Sequence, residues 1–264
     1  MTGDQAGTQM RHDSMARTQN ILEEERPIVV IPTYNERENI RRLIPQVLGQ
    51  HPQIDILVVD DNSPDGTGQV VQEFAGATPR VRLMQRDRKL GLGTAYIAGF
   101  RFAIENKYSF ILEMDADFSH APGEIPAFLH AIQGCDMVIG SRYMQGGATS
   151  NWPRRRRWLS VAANLYTRLL TGMSLTDATG GYRCFRREVL EKINVHRVGS
   201  NGYVFQIEMA FRVWRQGFRI VEIPIVFANR TEGQSKLDGH IVWEALWTLC
   251  KLRVLAAAGR LQRP

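Results

Sequence analysis

From Pro27 onward, short unbroken apolar runs alternate with stretches whose apolar residues recur every three or four positions. IVVI (28–31) precedes RENIRRLIPQVL, IDILVVD (54–60) precedes GTGQVVQEFA, VRLMQR (81–86) precedes GTAYIAGFRFAIEN, and SFILEMD (109–115) precedes GEIPAFLHAI. Runs that are apolar throughout suit parallel strands covered on both faces. Repeated strand–helix units therefore predict an α/β fold, a mostly parallel sheet flanked by helices. After about residue 145 the pattern changes. GGATSNWPRRRRWLSVAANLYTRLL reads as a flexible loop running into a basic helix, and NGYVFQIEMAFRVWRQG as a helix ending at Gly217. FRIVEIPIVF reads as one more strand, with Pro224 marking an edge or a bend. In HIVWEALWTLCKLRVLAAAG, His240, Glu244, Thr248 and Lys251 form one narrow stripe, apolar all around except for Arg253. That is an amphipathic C-terminal helix. The expected organisation is a polar, disordered tail over 1–26, one domain over 27–239, and the amphipathic helix and tail over 240–264.

Charge sharpens this picture. The formal charge is +6, but residues 1–26 carry five acids against three bases, which leaves +8 on the remainder. A basic body suits a polyanion, a phosphorylated small molecule or an anionic membrane surface, although solubilising arginines give the same number. The three cysteines, Cys135, Cys184 and Cys250, lie far apart without CxxC spacing. That pattern fits a reducing compartment and argues against a zinc site or a disulfide scaffold. No apolar run approaches the ~18 uncharged residues needed to cross a bilayer. The first 26 residues lack the apolar core of a secretory signal.

In parallel α/β sheets, ligands bind beyond the carboxyl ends of the strands, and the unusual residue clusters lie at such ends. FILEMDADFSHAPGE ends an apolar strand in acid, with Asp115 and Asp117 separated only by the small Ala116. Two carboxylates this close suit a hard divalent ion that completes its shell with substrate phosphate, whereas an isolated D-x-D is usually a solvated acidic turn. PTYNERE (32–38) follows the first strand; Tyr34 offers a ring to stack on a base and Glu36 an acceptor for a ribose, or the stretch is punctuation with Asn35 as helix cap. In VVDDNSPDGT (58–67), one of Asp60 and Asp61 suffices to cap the next helix, so the pair exceeds what capping requires. KLGLGTAYIAGF (89–100) reads as close helix packing before ligand contact. Cations follow other strands: Arg142 in MVIGSRY, RRRR (154–157), and Arg230 and Lys236 in ANRTEGQSKL. Arginine forks suit phosphate bidentately and lysine acts as a point charge, although charge runs are commonly solvated faces.

Taken together, PTYNERENI, VVDDNSPDGT, KLGLGTAYIAG, MDADFSH, GSRY, GGYRCFRREVLEKI, GYVFQIEM and RTEGQSKL resemble the inverting family 2 glycosyltransferases of GT-A fold. More narrowly they resemble the dolichol- and polyprenol-phosphate mannose synthases. The resemblance implies a Rossmann-like catalytic domain over 27–239, a GDP-mannose donor and a polyprenyl monophosphate acceptor. It implies that Pro32, Tyr34, Glu36, Val59 and Asp61 hold the nucleoside. Asp115 and Asp117 would hold Mg²⁺ or Mn²⁺, with the Ala116 backbone nearby, and Arg142, Arg156, Arg230 and Lys236 would meet donor and acceptor phosphates. Asp117, Arg142, Arg230 and Lys236 would be the catalytic set. Some relatives carry glutamine at the position of Ser119; serine is shorter, which weakens a direct ligand role there.

A phosphate monoester, with a second pKa near ~6, is already an anionic nucleophile at neutral pH and needs no general base. It needs positive charge to approach a diphosphate donor. The long apolar acceptor implies peripheral work on the cytoplasmic side of a membrane, with the helix at 240–258 lying in the interface, docking on a membrane-anchoring protein partner or packing in the core. Two other readings stand beside this one. One is a related enzyme using another sugar nucleotide, such as a glucosyl donor. The other is a basic nucleic-acid-binding module, kept alive by Trp152 and Trp158 beside the arginine run. The latter leaves the paired acids unexplained, so no nucleic-acid partner is expected.

Overall fold

The computed structural model describes residues 25–195, 198 and 202–228. Nine strands are β1 (Pro27–Thr33), β2 (Asp55–Asp60), β3 (Val81–Gln85), β4 (Phe110–Glu113), β5 (Met137–Ser141), β6 (Ala148–Thr149), β7 (Arg183–Arg186), β8 (Ile220–Pro224) and β9 (Val226–Phe227) among the described residues. The α-helices are α1 (Arg37–Leu48), α2 (Thr67–Ala77), α3 (Leu92–Glu105), α4 (Ile125–Ala131), α5 (Arg154–Thr171), α6 (Arg187–Lys192) and α7 (Gly202–Arg215), again among the described residues.

Seven strands form one sheet in the order β3-β2-β1-β4-β7-β5-β8, and β6 pairs with β9 in a small second sheet. Pairing is parallel except around β7, which runs antiparallel to both β4 and β5. The mostly parallel sheet expected from the apolar runs is thus present. β1 shows why its run is unbroken. Ile28 and Val30 enter one core with α3, α6 and α7, while Val29 and Ile31 enter a second core with α1, α2 and α4. A strand sandwiched in this way has no solvent face on which a polar residue could rest.

The glycine-rich stretch before Phe100 packs as expected. A Cβ on Gly99 of α3 would lie 2.3 Å from Val30 Cγ1, so only glycine lets α3 sit this close to β1. Pro224 closes β8 at the edge of the large sheet, and the chain crosses directly into β9 of the small one. Cys135 and Cys184 are buried free thiols, and burial pushes the Cys184 thiol well up. No helix among the described residues is long and apolar enough to cross a membrane.

One expectation fails locally. Asn35 does not cap α1: it adopts a left-handed φ of 61°, and Glu36 occupies the cap position without a side-chain capping bond. The orphan amide of Arg37 is instead met from the neighbouring loop by Asp65 Oδ2 at 3.1 Å. The same Asp65 accepts from the Thr67 amide and hydroxyl at the start of α2, so one carboxylate serves two helix starts. Those bonds hold its pKa below the ordinary carboxylate value even though burial acts to raise it.

Candidate active site

The chain runs from β1 outward to β2 and β3, then returns to place β4 on the other side of β1. That reversal opens a crevice at the carboxyl ends of β1 and β4, where a doubly wound sheet takes its ligands. Asn35, Asn62 and Phe118, each just beyond one of the strands β1, β2 and β4, have left-handed φ values of 61°, 57° and 60°. Backbone strain of this kind gathers where function over-determines the loop.

Asp115, Ala116 and Asp117 leave β4 at this crevice, with the Met114 amide still bonded to Val30 O at 3.2 Å. The turn is held from several sides. The Asp115 amide donates to His120 Nδ1 at 3.0 Å, and the Tyr96 hydroxyl of α3 donates to Asp115 Oδ1 at 3.2 Å. Asp117 Oδ1 accepts the Ser119 amide at 3.0 Å. Burial, reinforced by the Asp115 charge, pushes the Tyr96 phenol far above its usual pKa, so it stays a donor. Ser119 Oγ is buried and meets no hydrogen-bond partner. Two carboxylates and an orphan hydroxyl on one turn make a set of hard oxygen donors suited to Mg²⁺ or Mn²⁺. Among the described residues no group of three or more His, Cys, Asp and Glu side chains forms a cage by itself. Such a site would need ligand oxygens to complete it.

Behind the turn lies Glu113, fully buried. Burial raises its pKa to about 7, against the pull of the Arg183 charge and of the nearby Gln206 side chain. Arg183 is itself fully buried and donates to Gly180 O, Ala178 O and Gln206 O at 2.6–2.8 Å.

On the β1–β2 side, Asp60 and Asp61 divide the work. Asp60 is fully buried and accepts from Thr33 Oγ1 (2.8 Å), Ser63 N (2.9 Å) and Ser63 Oγ (2.6 Å), locking the two strand ends together. Neither residue caps α2, contrary to the simpler reading of that pair. Asp61 pairs with Arg86 and accepts the Leu90 amide at 3.1 Å, which draws the 86–91 loop over the end of β2. Its carboxylate is therefore engaged within the protein, through a partner that lay outside the expected site. Tyr34 is partly exposed, with Lys89 Nζ 3.9 Å from its ring centroid. Glu36 accepts from Asn39 Nδ2 at 2.7 Å, and its amide donates to Thr67 Oγ1 at 3.0 Å. Pro32 and Val59 are adjacent in register on β1 and β2.

Arg142 follows β5 and is a buried, fixed cation. It reaches Asp177 through Nε (2.6 Å), Nη2 (2.7 Å) and its own amide (3.0 Å), and Thr179 Oγ1 through Nη2 (2.7 Å). Burial would raise the Asp177 carboxyl, but Arg142 holds it below its ordinary value. Arg142 was expected as a phosphate-binding charge; its pairing with Asp177 offsets much of that charge. Asp177, like Arg86, is a residue that the sequence reading missed. Antiparallel β7 carries the preceding loop, TDATGG, back to the carboxyl edge, and a conspicuous Asp-and-double-Gly turn was the available signal. Trp152 and Phe227 face Arg142 at 5.4 Å each, and Arg156 lies 4.0 Å over the Trp152 ring. His120 joins the same wall, stacked on Tyr182 and edge-on to Phe227. Arg230, Lys236 and the expected helix at 240–258 lie outside the described residues.

The structure thus brings Pro32, Tyr34, Glu36, Val59 and Asp61 to one side of the crevice and Asp115–Asp117 to the other, with Arg142 and Arg156 beyond the antiparallel strand. Against known proteins, residues 28–194 match the model of glycosyl transferase family 2. The chain is 49% identical over 241 residues to a polyprenol monophosphomannose synthase of Mycolicibacterium smegmatis, covering 90% of each. It is 47% identical over 221 residues to an undecaprenyl-phosphate mannosyltransferase of Micrococcus luteus, covering 84% of this chain and 91% of that one. Among solved structures, glucosyl-3-phosphoglycerate synthase from Mycobacterium tuberculosis superposes with a TM-score of 0.64 at 17% identity, over 86% of this chain and 79% of that one. A mannosyltransferase from Pyrobaculum calidifontis in complex with GDP-Man and Mn²⁺ gives 0.55 at 20% identity, over 89% of this chain and 64% of that one. At those identities the structural matches speak for the fold.

Proposed function

Since this chain belongs to glycosyl transferase family 2, we propose that it transfers mannose from GDP-mannose to a polyprenyl monophosphate with inversion. The names of the two close relatives support the sugar and the lipid phosphate. The observation that carries the reading is the acid turn at the strand reversal: two carboxylates and an orphan hydroxyl that need phosphate oxygens to complete a metal shell. In this reading Asp115 and Asp117 hold Mg²⁺ or Mn²⁺, with the Ser119 hydroxyl buried on the same turn. When bound, the ion offsets charge on the leaving diphosphate as a Lewis acid.

The chain's own groups account for the rest. Tyr34 and Lys89 flank the base, Glu36 meets the ribose, and Pro32 and Val59 wall the pocket. Asp61 shapes it by fixing the 86–91 loop and turns toward the nucleoside once Arg86 yields. An acceptor phosphate oxygen attacks the anomeric carbon, the bond from that carbon to the diphosphate oxygen breaks, and GDP leaves. No proton need be removed, which agrees with a site whose conspicuous groups are charges rather than a free histidine base. Asp177 holds Arg142 in place beside the acceptor, so net positive charge there falls to Arg156, Arg230 and Lys236. Peripheral attachment on the cytoplasmic face completes the reading.

Incubation with labelled GDP-mannose, Mg²⁺ and a polyprenyl phosphate, followed by organic extraction, tests this. Label is expected in the lipid phase, lost on chelation and in Asp115→Ala or Asp117→Ala variants that remain folded. Transfer from UDP-glucose in preference to GDP-mannose, or full activity in either variant, overturns it.

A further inference from the structure

The loop TDATGG (176–181) ends in two glycines, which leave it little conformational restraint of its own. It is held instead by two charged side chains from neighbouring strands. Glu222 of β8 accepts the Thr176 amide through Oε2 at 2.7 Å, and through Oε1 the Thr176 hydroxyl at 2.7 Å and the Asp177 amide at 2.8 Å. Arg183 of β7 takes the carbonyls further along, donating to Ala178 O at 2.8 Å and Gly180 O at 2.7 Å. A carboxylate thus holds the loop by its N–H groups and a guanidinium by its C=O groups, and such charge-assisted bonds are about twice as strong as neutral ones. Asp177, whose carboxylate takes Arg142, stands between the two grips.

The loop is also seated on the strand that delivers Arg142. Thr176 gives its hydroxyl hydrogen to Glu222, so the Ser141 hydroxyl, 2.8 Å away at the end of β5, donates to Thr176 in turn. A Cβ on Gly180 would lie 2.7 Å from Gly140 O, so only glycine lets the loop come this close to β5. An acid on an edge strand such as β8 commonly keeps its head in water and discourages pairing with other strands. Glu222 has another use, because its carboxylate is turned onto three donors of a single loop.

We propose that Glu222 is a positioning residue for the transfer: it fixes Asp177 through the backbone of the loop and, through Asp177, the guanidinium of Arg142. The inference rests on the reading of Arg142 as a charge beside the acceptor phosphate and adds what sets its place. The ion pair fixes Asp177 and Arg142 only relative to each other. The loop fixes the pair relative to the sheet, and so to the acid turn at the end of β4. A misplacement of about 1 Å at a reacting centre costs on the order of a hundredfold in rate, so a carboxylate that touches no substrate still governs turnover.

Glu222→Gln in the full-length chain keeps the length of the side chain and sets an N–H group against one of the loop's donors. By hydrogen exchange, the segment 176–181 is expected to open about tenfold or more faster than in the wild type, while β1 and β4 keep their protection. With GDP-mannose, Mg²⁺ and a short polyprenyl phosphate, kcat should fall about tenfold or more, with KM for GDP-mannose and the Kd of GDP with Mn²⁺ unchanged. In an Asp177→Asn background the same substitution should change kcat by less than about twofold, because the link runs through Asp177. Glu222→Asp, which keeps the charge one carbon short of the loop, should recover part of the lost kcat. Thr176→Val, which removes one of the three donors, carries the test should Glu222→Gln misfold. An unchanged kcat in the folded variant overturns the proposal. So does an equal loss of kcat with and without Asp177, or a loss of GDP affinity that matches the loss of kcat, since either marks a general effect on the fold. Arg142→Gln separates the two claims. Full transfer by that variant removes the acceptor reading of Arg142, whereas impaired transfer beside an unimpaired Glu222→Gln overturns the positioning proposal alone.

Discussion

Replacing Asp177 by asparagine keeps the shape of the side chain and removes its charge. In the wild type the carboxylate is fully buried and takes three donors from Arg142 alone, at 2.6, 2.7 and 3.0 Å. An asparagine amide must turn its own N–H groups toward one of those donors, so at least one charge-assisted bond is lost and the guanidinium stays buried without a counter-charge. Breaking a buried pair from one side costs about 3–5 kcal/mol. For a chain of this size that corresponds to a fall in Tm on the order of 10 °C. Thermal and urea unfolding of Asp177→Asn, Arg142→Gln and the double variant gives the coupling directly. The double variant should be less destabilised than the sum of the single ones, by about 2 kcal/mol or more. Mannosyl transfer should fall in both single variants through kcat, as the Arg142 wall loses its fixed position. A loss in Asp177→Asn within about 1 kcal/mol, the range of an exposed pair, would refute the reasoning.

Three further outcomes follow from the geometry. Gly99→Ala should destabilise by about 1–3 kcal/mol in urea unfolding despite alanine's helix preference, because the new Cβ meets Val30 Cγ1; adding Val30→Ala should recover part of the loss. Burial raises Glu113 from its ordinary 4.5 to about 7, so between those values the folded chain holds a proton that the unfolded chain has released. Stability of the metal-free protein should therefore fall as pH rises through that window, by up to about 3 kcal/mol, and Glu113→Gln should flatten the slope. Tyr34→Ala should weaken GDP binding by about tenfold or more in calorimetry if the ring stacks on the base, and an unchanged Kd would remove Tyr34 from the pocket.

The parts of the fold that were legible in the sequence are those whose physics is local. β1, β2 and β4 announce themselves because strands buried on both faces are apolar through their middles, with Asp55, Asp60 and Glu113 only at strand ends, and α1 spans the twelve residues RENIRRLIPQVL that its periodicity marks. β7 was hidden. It is four residues long, RCFR, with an arginine at each end, and only its pairing with β4 and β5 makes it a strand. Asp177 was hidden with it, since its approach to Arg142 depends on that antiparallel return. Asn35 misled because helix capping was sought locally, whereas Asp65 supplies the bond from another loop. The basic character of α5 was plain, but a periodic pattern does not say which face turns inward; here Asn164, Thr167 and Thr171 do, beside the partly buried Tyr166 and Leu170. Asp115 and Asp117 stood out as a carboxylate pair at a strand end, but what holds their turn, the Tyr96 hydroxyl, His120 Nδ1 and the Ser119 amide, lies on no pattern in the sequence.

Anomalous diffraction at the manganese edge, from crystals soaked with Mn²⁺ and GDP, tests the central claim most directly. A single strong peak is expected within coordination distance of the Asp115 and Asp117 carboxylates and of the diphosphate oxygens. A diphosphate bound elsewhere, or one bound beside an acid turn that holds no metal, would contradict the account.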